Sequence, residues 1–349
     1  MKLKKLVLSI FGGLIVVILS AVGVFAAATH LYVVNNSDNS VTVIDITNNK
    51  TVATLNVGSS PTGIVYNPTY KTAYVVNRGD NTVSVIDTNS HNVIGSISVN
   101  PYPWYVALDP NVHNIDLNQW VKNLPVMFLY VTSPIGNGIN ILISTLDGIL
   151  TLPGGFIQTD VPPGIGAYNV ALDVANQKAY VVNCHNAILS ILDLNTKKMV
   201  GTVENLENTD SFVGVGVDTV LNKVYAVGDK IDVMPVVDAN TKKVVAKVKV
   251  GSTPYNVIVD SVKHKAYVVN RGSSSISVVN TMNDTVEATI KVGAEPISVA
   301  LTDGKAYVSN CGSNNISVIN TTTNTVVDTI ALPGLKPYRG LCPWGVAAF

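Results

Sequence analysis

A short apolar stretch built around a tyrosine recurs seven times along this 349-residue chain. The copies read HLYVVNN (30–36), TAYVVNRG (72–79), FLYVTSP (128–134), KAYVVNCH (178–185), KVYAVGD (223–229), KAYVVNRG (265–272) and KAYVSNCG (305–312). Tyr32, Tyr74, Tyr130, Tyr180, Tyr225, Tyr267 and Tyr307 therefore stand 42, 56, 50, 45, 42 and 40 residues apart. A period near 40 residues, with strand-like composition and almost no helical pattern, is the signature of a β-propeller. Each unit must stack on its neighbours to bury its faces, so residues 29–349 are expected to form one domain.

The unit from Val250 to Val292 shows how a repeat becomes a blade. Pro254–Asp260 reads as strand A, Lys265–Asn270 as strand B, Ser275–Asn280 as strand C and Thr285–Val292 as strand D. Asp45, Asp87, Asp193, Asp238, Asn280 and Asn320 end the C strands, where a short acceptor side chain can hold the following turn. Gly79, Gly272 and Gly312 occupy the B–C hairpins and are expected to supply positive φ. The chain begins on a B strand and ends on a lone A strand, CPWGVAAF. The predicted fold is therefore all-β: a seven-bladed propeller of four-stranded antiparallel blades, closed by pairing the C-terminal strand with the N-terminal blade.

Only 13% of the residues are charged, and the formal net charge is zero. Three lysines and no acid fall within residues 1–28, leaving 20 basic against 23 acidic residues beyond them. With no basic stripe, nucleic acid is not an expected partner. Lys2, Lys4 and Lys5 precede an apolar run from Leu6 to Phe25 and then Ala26, Ala27 and Ala28, which describes an export signal. The run is also long enough for an uncleaved signal anchor. Either form places the repeats outside the cytoplasm: extracellular, at the cell surface or periplasmic. The membrane is touched only if that segment remains.

The pattern K-x-Y-V-x-N, V-S-V-I-D, V-x-A-T-I-x-V-G and P-x-x-V-A stands here as KAYVVN (265–270), VSVID (83–87), VEATIKVG (286–293) and EPISVA (295–300). It resembles the YVTN-type β-propeller repeat of archaeal surface-layer proteins and of bacterial secreted or periplasmic propellers. The resemblance runs over 30–349 and is weakest between 111 and 245. It implies the fold; the activity stays open, since similar folds include lactonases, a lyase and a haem-binding domain.

Antiparallel order puts the B–C and D–A loops on one face. Trp104, Tyr168, Tyr255 and Trp344 open four of the A strands there, with Thr62, Val213 and Ile297 at the same position elsewhere. They are expected to ring the channel mouth, either as packing between blades or as a ligand platform. Arg78 and Arg271 share a B–C loop position and suit a carboxylate or sulfate. Arg78, Gly79 and Asp80 also spell an adhesion tripeptide, which a Gly-Asp hairpin explains as well. Cys311 and Cys342 fall on this face in adjacent blades, which predicts a disulfide stapling the closing strand and a free Cys184. Two D–A connections, 153–167 and 333–342, are long and rich in Gly and Pro. On the other face, Leu117, Trp120, Val121 and Leu124 recur at helical spacing in the 111–127 insertion and predict a short amphipathic helix.

The five histidines lack metal-ligand spacing, and Cys184 with His185 is the only adjacent Cys/His pair, a weak candidate for a metal. No haem-attachment, nucleophile-elbow or Walker motif is present, so no cofactor is expected. The leading expectation is an exported, single-chain ring. It would act as a binding or cell-surface interaction scaffold for a protein, glycan or small molecule rather than as an enzyme. A lactonase or lyase acting at the same mouth is the alternative reading, and a metal or redox protein the third.

Overall fold

The computed structural model describes residues 10–11, 14–15, 28–115, 124–134, 138–145, 148–150, 156–158, 166–184, 187–207, 209, 211–332 and 343–348. The predicted export segment lies outside these residues, apart from a pairing of Ile10–Phe11 with Leu14–Ile15.

The B and C strands read as near-continuous apolar runs because both of their faces are covered by neighbouring blades. Lys265–Asn270 and Ser275–Asn280 are buried along most of their length, whereas Thr285–Lys291 is mostly exposed. Seven antiparallel sheets repeat this gradient around a ring. In chain order we number them blade 2 (61–98), blade 3 (106–158), blade 4 (166–203), blade 5 (214–249), blade 6 (254–291) and blade 7 (296–331). Blade 1 joins the two ends of the chain. Its inner strand, Pro343–Ala348, pairs with His30–Asn35, followed by Ser40–Asp45 and Lys50–Asn56.

The seven tyrosines mark the seams between blades. Each is at most 2% exposed and belongs to a core cluster spanning its own blade and the next. Tyr307 of blade 7 packs with Leu31, Val33 and Ile44 of blade 1, which closes the ring. Several hydroxyls reach the C–D turn of the following blade. Tyr32 bonds His91 Nδ1 at 2.5 Å, Lys197 donates to Tyr130 at 2.7 Å, and Tyr225 donates to Asp284 at 3.3 Å. His91, Lys197 and Asp284 are the positive-φ residues of those turns. The tyrosine is therefore an inter-blade rivet whose ring fills the seam, and at Tyr32, Tyr130 and Tyr225 the hydroxyl also ties down the neighbouring turn.

The C-strand acceptors act as expected. Asp45 accepts from the Thr47 amide at 2.8 Å, Asp238 from Thr241 at 2.7 Å and Asn320 from Thr322 at 2.9 Å. Hydrogen bonds from their own turns hold the Asp45, Asp87 and Asp238 carboxyls below the usual carboxylate range.

Three expectations are corrected. Positive φ in the B–C hairpins belongs to Asn39, Asn81, Ser274 and Asn314, not to the glycines. Gly79 and Gly272 are glycine because a Cβ would stand 2.6 Å from Ser59 Oγ and 2.5 Å from Thr253 Oγ1; the preceding D–A loop is packed onto them. The helix drawn through the insertion ends instead in a strand, since Leu124–Ser133 is extended and its first residues pair with His113–Ile115. Leu124 precedes Pro125, and a residue before proline is driven away from helical angles. Leu117, Trp120 and Val121 lie outside the described residues. Finally, part of the supposed 153–167 loop is strand: Gly148–Leu150 and Phe156–Gln158 both pair with Gly138–Thr145, so the outer strand of blade 3 is split in two.

Candidate ligand-binding site at the channel mouth

The inner strands of blades 1, 2, 4, 6 and 7 are bulged where they approach the B–C face. In blade 4 the register steps from Ala167 to Asn169 and skips Tyr168; in blade 6 it steps from Pro254 to Asn256 and skips Tyr255. Blade 7 skips Ile297 in the same way, and the closing strand slips between Pro343 and Val346, around Trp344. A bulge re-aims the extra residue. In blades 4, 6, 7 and 1 it re-aims Tyr168, Tyr255, Ile297 and Trp344, which line one cavity.

Thr62, Trp104, Tyr168, Val213, Tyr255, Ile297 and Trp344 together line one cavity, so the predicted ring is assembled. The carbonyls behind these side chains are fixed by neighbouring blades. Thr62 Oγ1 donates to Trp104 O at 2.7 Å, Thr132 Oγ1 to Tyr168 O at 2.8 Å and Ser309 Oγ to Trp344 O at 3.0 Å.

The four aromatic residues meet across the three smaller ones. Trp104 lies 4.7 Å from Tyr168 and 5.6 Å from Trp344, and Tyr255 lies 6.2 Å from Trp344. The Tyr168 and Tyr255 hydroxyls share a 2.7 Å hydrogen bond. The two sequence readings, packing and platform, are thus both present: the rings pack on one another and remain only partly buried. The space left between them is about 30 Å³, room for little more than water. The channel is floored here, and a ligand would rest on the rings rather than enter a pore.

Both arginines stack on this floor. The Arg78 guanidinium lies 4.7 Å from the Trp104 ring centroid and that of Arg271 lies 5.8 Å from Tyr255. Arg271 is paired with Glu295 at 3.0 Å, while Arg78 has no carboxylate partner among the described residues. Asp80 accepts from the Ser59 amide at 2.5 Å, so the tripeptide's acid holds the preceding D–A loop.

One charged residue of this site was missed. Aligning KVYAVGD with KAYVVNR puts Asp229 at the position of Arg78 and Arg271, a match obscured because Gly228 replaces the usual asparagine. Its Oδ1 is buried without a hydrogen-bond partner. Burial pushes the Tyr255 hydroxyl up to about 12; the Tyr168 bond, Arg271 and Arg78 oppose this, and Asp229 adds to it. Burial also holds the Tyr168 hydroxyl well above its ordinary value, aided by Tyr255, Cys184 and Asp229. Charges from blades 2, 5 and 6 therefore all act on one hydroxyl pair.

Cys184 also sits at that loop position. It is a free, buried thiol, its pKa is raised chiefly by burial, and its sulfur lies 3.7 Å from Gly166 O. A thiol kept protonated is a poor nucleophile and a poor metal ligand. His185 lies outside the described residues. Cys311 is disulfide-bonded and packs with Ile297 against Tyr255 and Trp344. Its predicted partner Cys342 lies outside the described residues. We expect native, unreduced protein to resist thiol alkylation, and denaturation without reduction to expose Cys184 alone. Peptide mapping showing all three cysteines alkylated before reduction would reject the bridge.

The fold and this mouth define a seven-bladed β-propeller whose axial opening is floored by aromatic side chains and edged by charge. No protein-family model and no curated protein matches the chain. Among solved structures, the hydrazine synthase of Kuenenia stuttgartiensis aligns with TM-score 0.68 at 16% identity, covering 84% of this chain and 92% of that one. Apo AztD of Citrobacter koseri aligns with TM-score 0.62 at 14% identity over 93% of this chain and 98% of that one. Dihydro-heme d1 dehydrogenase NirN, in complex with DHE, aligns with TM-score 0.60 at 11% identity over 89% and 75%. These likenesses show the propeller fold, and the proteins that share it include enzymes.

Proposed function

We propose that this chain is an exported binding module of the YVTN-repeat type that takes a ligand at the channel mouth. The observation carrying this reading is the Arg78 guanidinium, without a carboxylate partner among the described residues and stacked on Trp104 at 4.7 Å, above an aromatic floor drawn from four blades. A stacked arginine presents its fork of donors to a carboxylate or sulfate while its face stays on the ring. The groups present suit holding a ligand better than turning it over. Tyr168, Tyr255 and Cys184 all titrate above their ordinary values, away from the neutral range where a general acid or base works best.

Benzoate and sulfate are suitable probes, read by the fluorescence of Trp104 and Trp344. Arg78→Ala should weaken benzoate binding about tenfold or more, the loss expected of a charge-assisted bond, while leaving the melting temperature nearly unchanged. Benzoate affinity untouched by both Arg78→Ala and Arg271→Ala would overturn the reading. Lactone hydrolysis or elimination abolished by Tyr255→Phe would favour the lactonase or lyase alternative instead.

A further inference from the structure

Arg78, Asp229 and Arg271 stand at one repeat position, four residues after the repeat tyrosine, in blades 2, 5 and 6. Elsewhere that position holds uncharged residues: Asn36, Pro134, Cys184 and Cys311. The three charged residues differ in what they already hold. Arg271 is committed to Glu295. Among the described residues Arg78 lacks a carboxylate, and Asp229 Oδ1 is buried without a hydrogen-bond partner. The mouth thus presents one cation and one anion that are not paired with each other, over a shared aromatic floor. In the floor, Trp344 Nε1 is a further buried donor without a partner among the described residues. Unmatched buried polar atoms cost free energy unless something supplies the missing bond.

A purely anionic ligand would answer Arg78 and be repelled by Asp229; a purely cationic one would do the reverse. From this we propose that the mouth takes a small zwitterion carrying a carboxylate and an ammonium group. The carboxylate meets Arg78, the ammonium meets Asp229, and the body lies on the Trp104–Tyr168–Tyr255–Trp344 floor. This rests on the mouth being the binding site and goes further by naming the ligand class and assigning a role to Asp229. Glu295 neutralises Arg271, so a second carboxylate on the ligand is not called for.

The test is a matched trio: L-phenylalanine, 3-phenylpropanoate without the ammonium, and phenethylamine without the carboxylate. Calorimetric titration of the full chain should show L-phenylalanine binding about tenfold tighter than either analogue, one charged hydrogen bond being lost in each. Asp229→Asn should erase the preference over 3-phenylpropanoate, and Arg78→Gln the preference over phenethylamine. The amide replacements keep the shape of the acid and part of the reach of the arginine, and a melting curve of each variant confirms folding. Equal binding of L-phenylalanine and 3-phenylpropanoate, indifferent to Asp229→Asn, would overturn the zwitterion and leave the mouth as a simple anion site. Failure of all three to bind would also overturn it, while the benzoate titration separately decides whether the mouth binds anything.

Discussion

A chain lacking Pro343–Ala348 should unfold at a much lower denaturant concentration than the full-length protein, with a loss of at least about 4 kcal/mol, in the range reserved for disrupted cores. That strand is the innermost of blade 1 and pairs with His30–Asn35 through Leu31–Ala348, Tyr32–Ala347 and Val33–Val346. Val346 belongs to the cluster that joins blade 7 to blade 1 around Tyr307. Its removal exposes an inner strand edge and opens a seam that every other blade keeps shut. A milder version is Gly345→Val, since even a Cβ at Gly345 would lie 2.7 Å from the Thr62 carbonyl of blade 2. Urea unfolding followed by circular dichroism measures both. An unchanged midpoint for the truncated chain would mean that the ring does not depend on joining its ends.

The second large effect concerns the tyrosine rivets. Tyr225→Ala should cost about 3–5 kcal/mol, the usual range for emptying a large buried aromatic site. Tyr225→Phe should cost only about 1 kcal/mol, because it removes a hydroxyl bond and keeps the ring. Tyr225 is fully buried among Val227, Met234, Val257 and Val268, and its hydroxyl donates to Asp284, which also pairs with Lys223 at 2.7 Å. The same unfolding experiment separates the two substitutions. A Tyr225→Ala cost no larger than that of Tyr225→Phe would show that the ring is not what seals the seam.

These two effects concern the part of the molecule that the sequence discloses best. Blade count, strand order and closure are legible because every repeat solves the same burial problem with the same residue types. Tyr32 and Tyr307 face equivalent seams although 275 residues separate them. The mouth aromatics were legible for the same reason: they interrupt a position that the repeat otherwise fills with Thr62, Val213 or Ile297.

The rest depends on geometry that composition does not encode. Tyr168 and Tyr255 face the axis because the ladder slips at them, and a slip in register leaves no mark on residue type. Gly79 and Gly272 look like turn glycines, yet the demand on them comes from a loop packed against them, while Asn81 and Ser274 carry the positive φ. In the insertion, the spacing of Leu117 to Leu124 outweighed the proline that follows it. Asp229 was hidden in the most divergent copy of the repeat, where the neighbouring asparagine is replaced. Its signal in the sequence is charge at a repeat position that Arg78 and Arg271 also fill with charge.

In the proposed function, the exceptions to the repeat, gathered on the B–C and D–A face, make the binding site. Hydrogen–deuterium exchange of the full chain, with and without the tightest-binding probe among benzoate and L-phenylalanine, tests it most directly. Slowed exchange is expected in loop amides around 58–62, 78–81, 228–231 and 271–274, with no change in the C–D turns of the opposite face. Protection confined to those C–D turns, with the mouth loops unchanged, would contradict it.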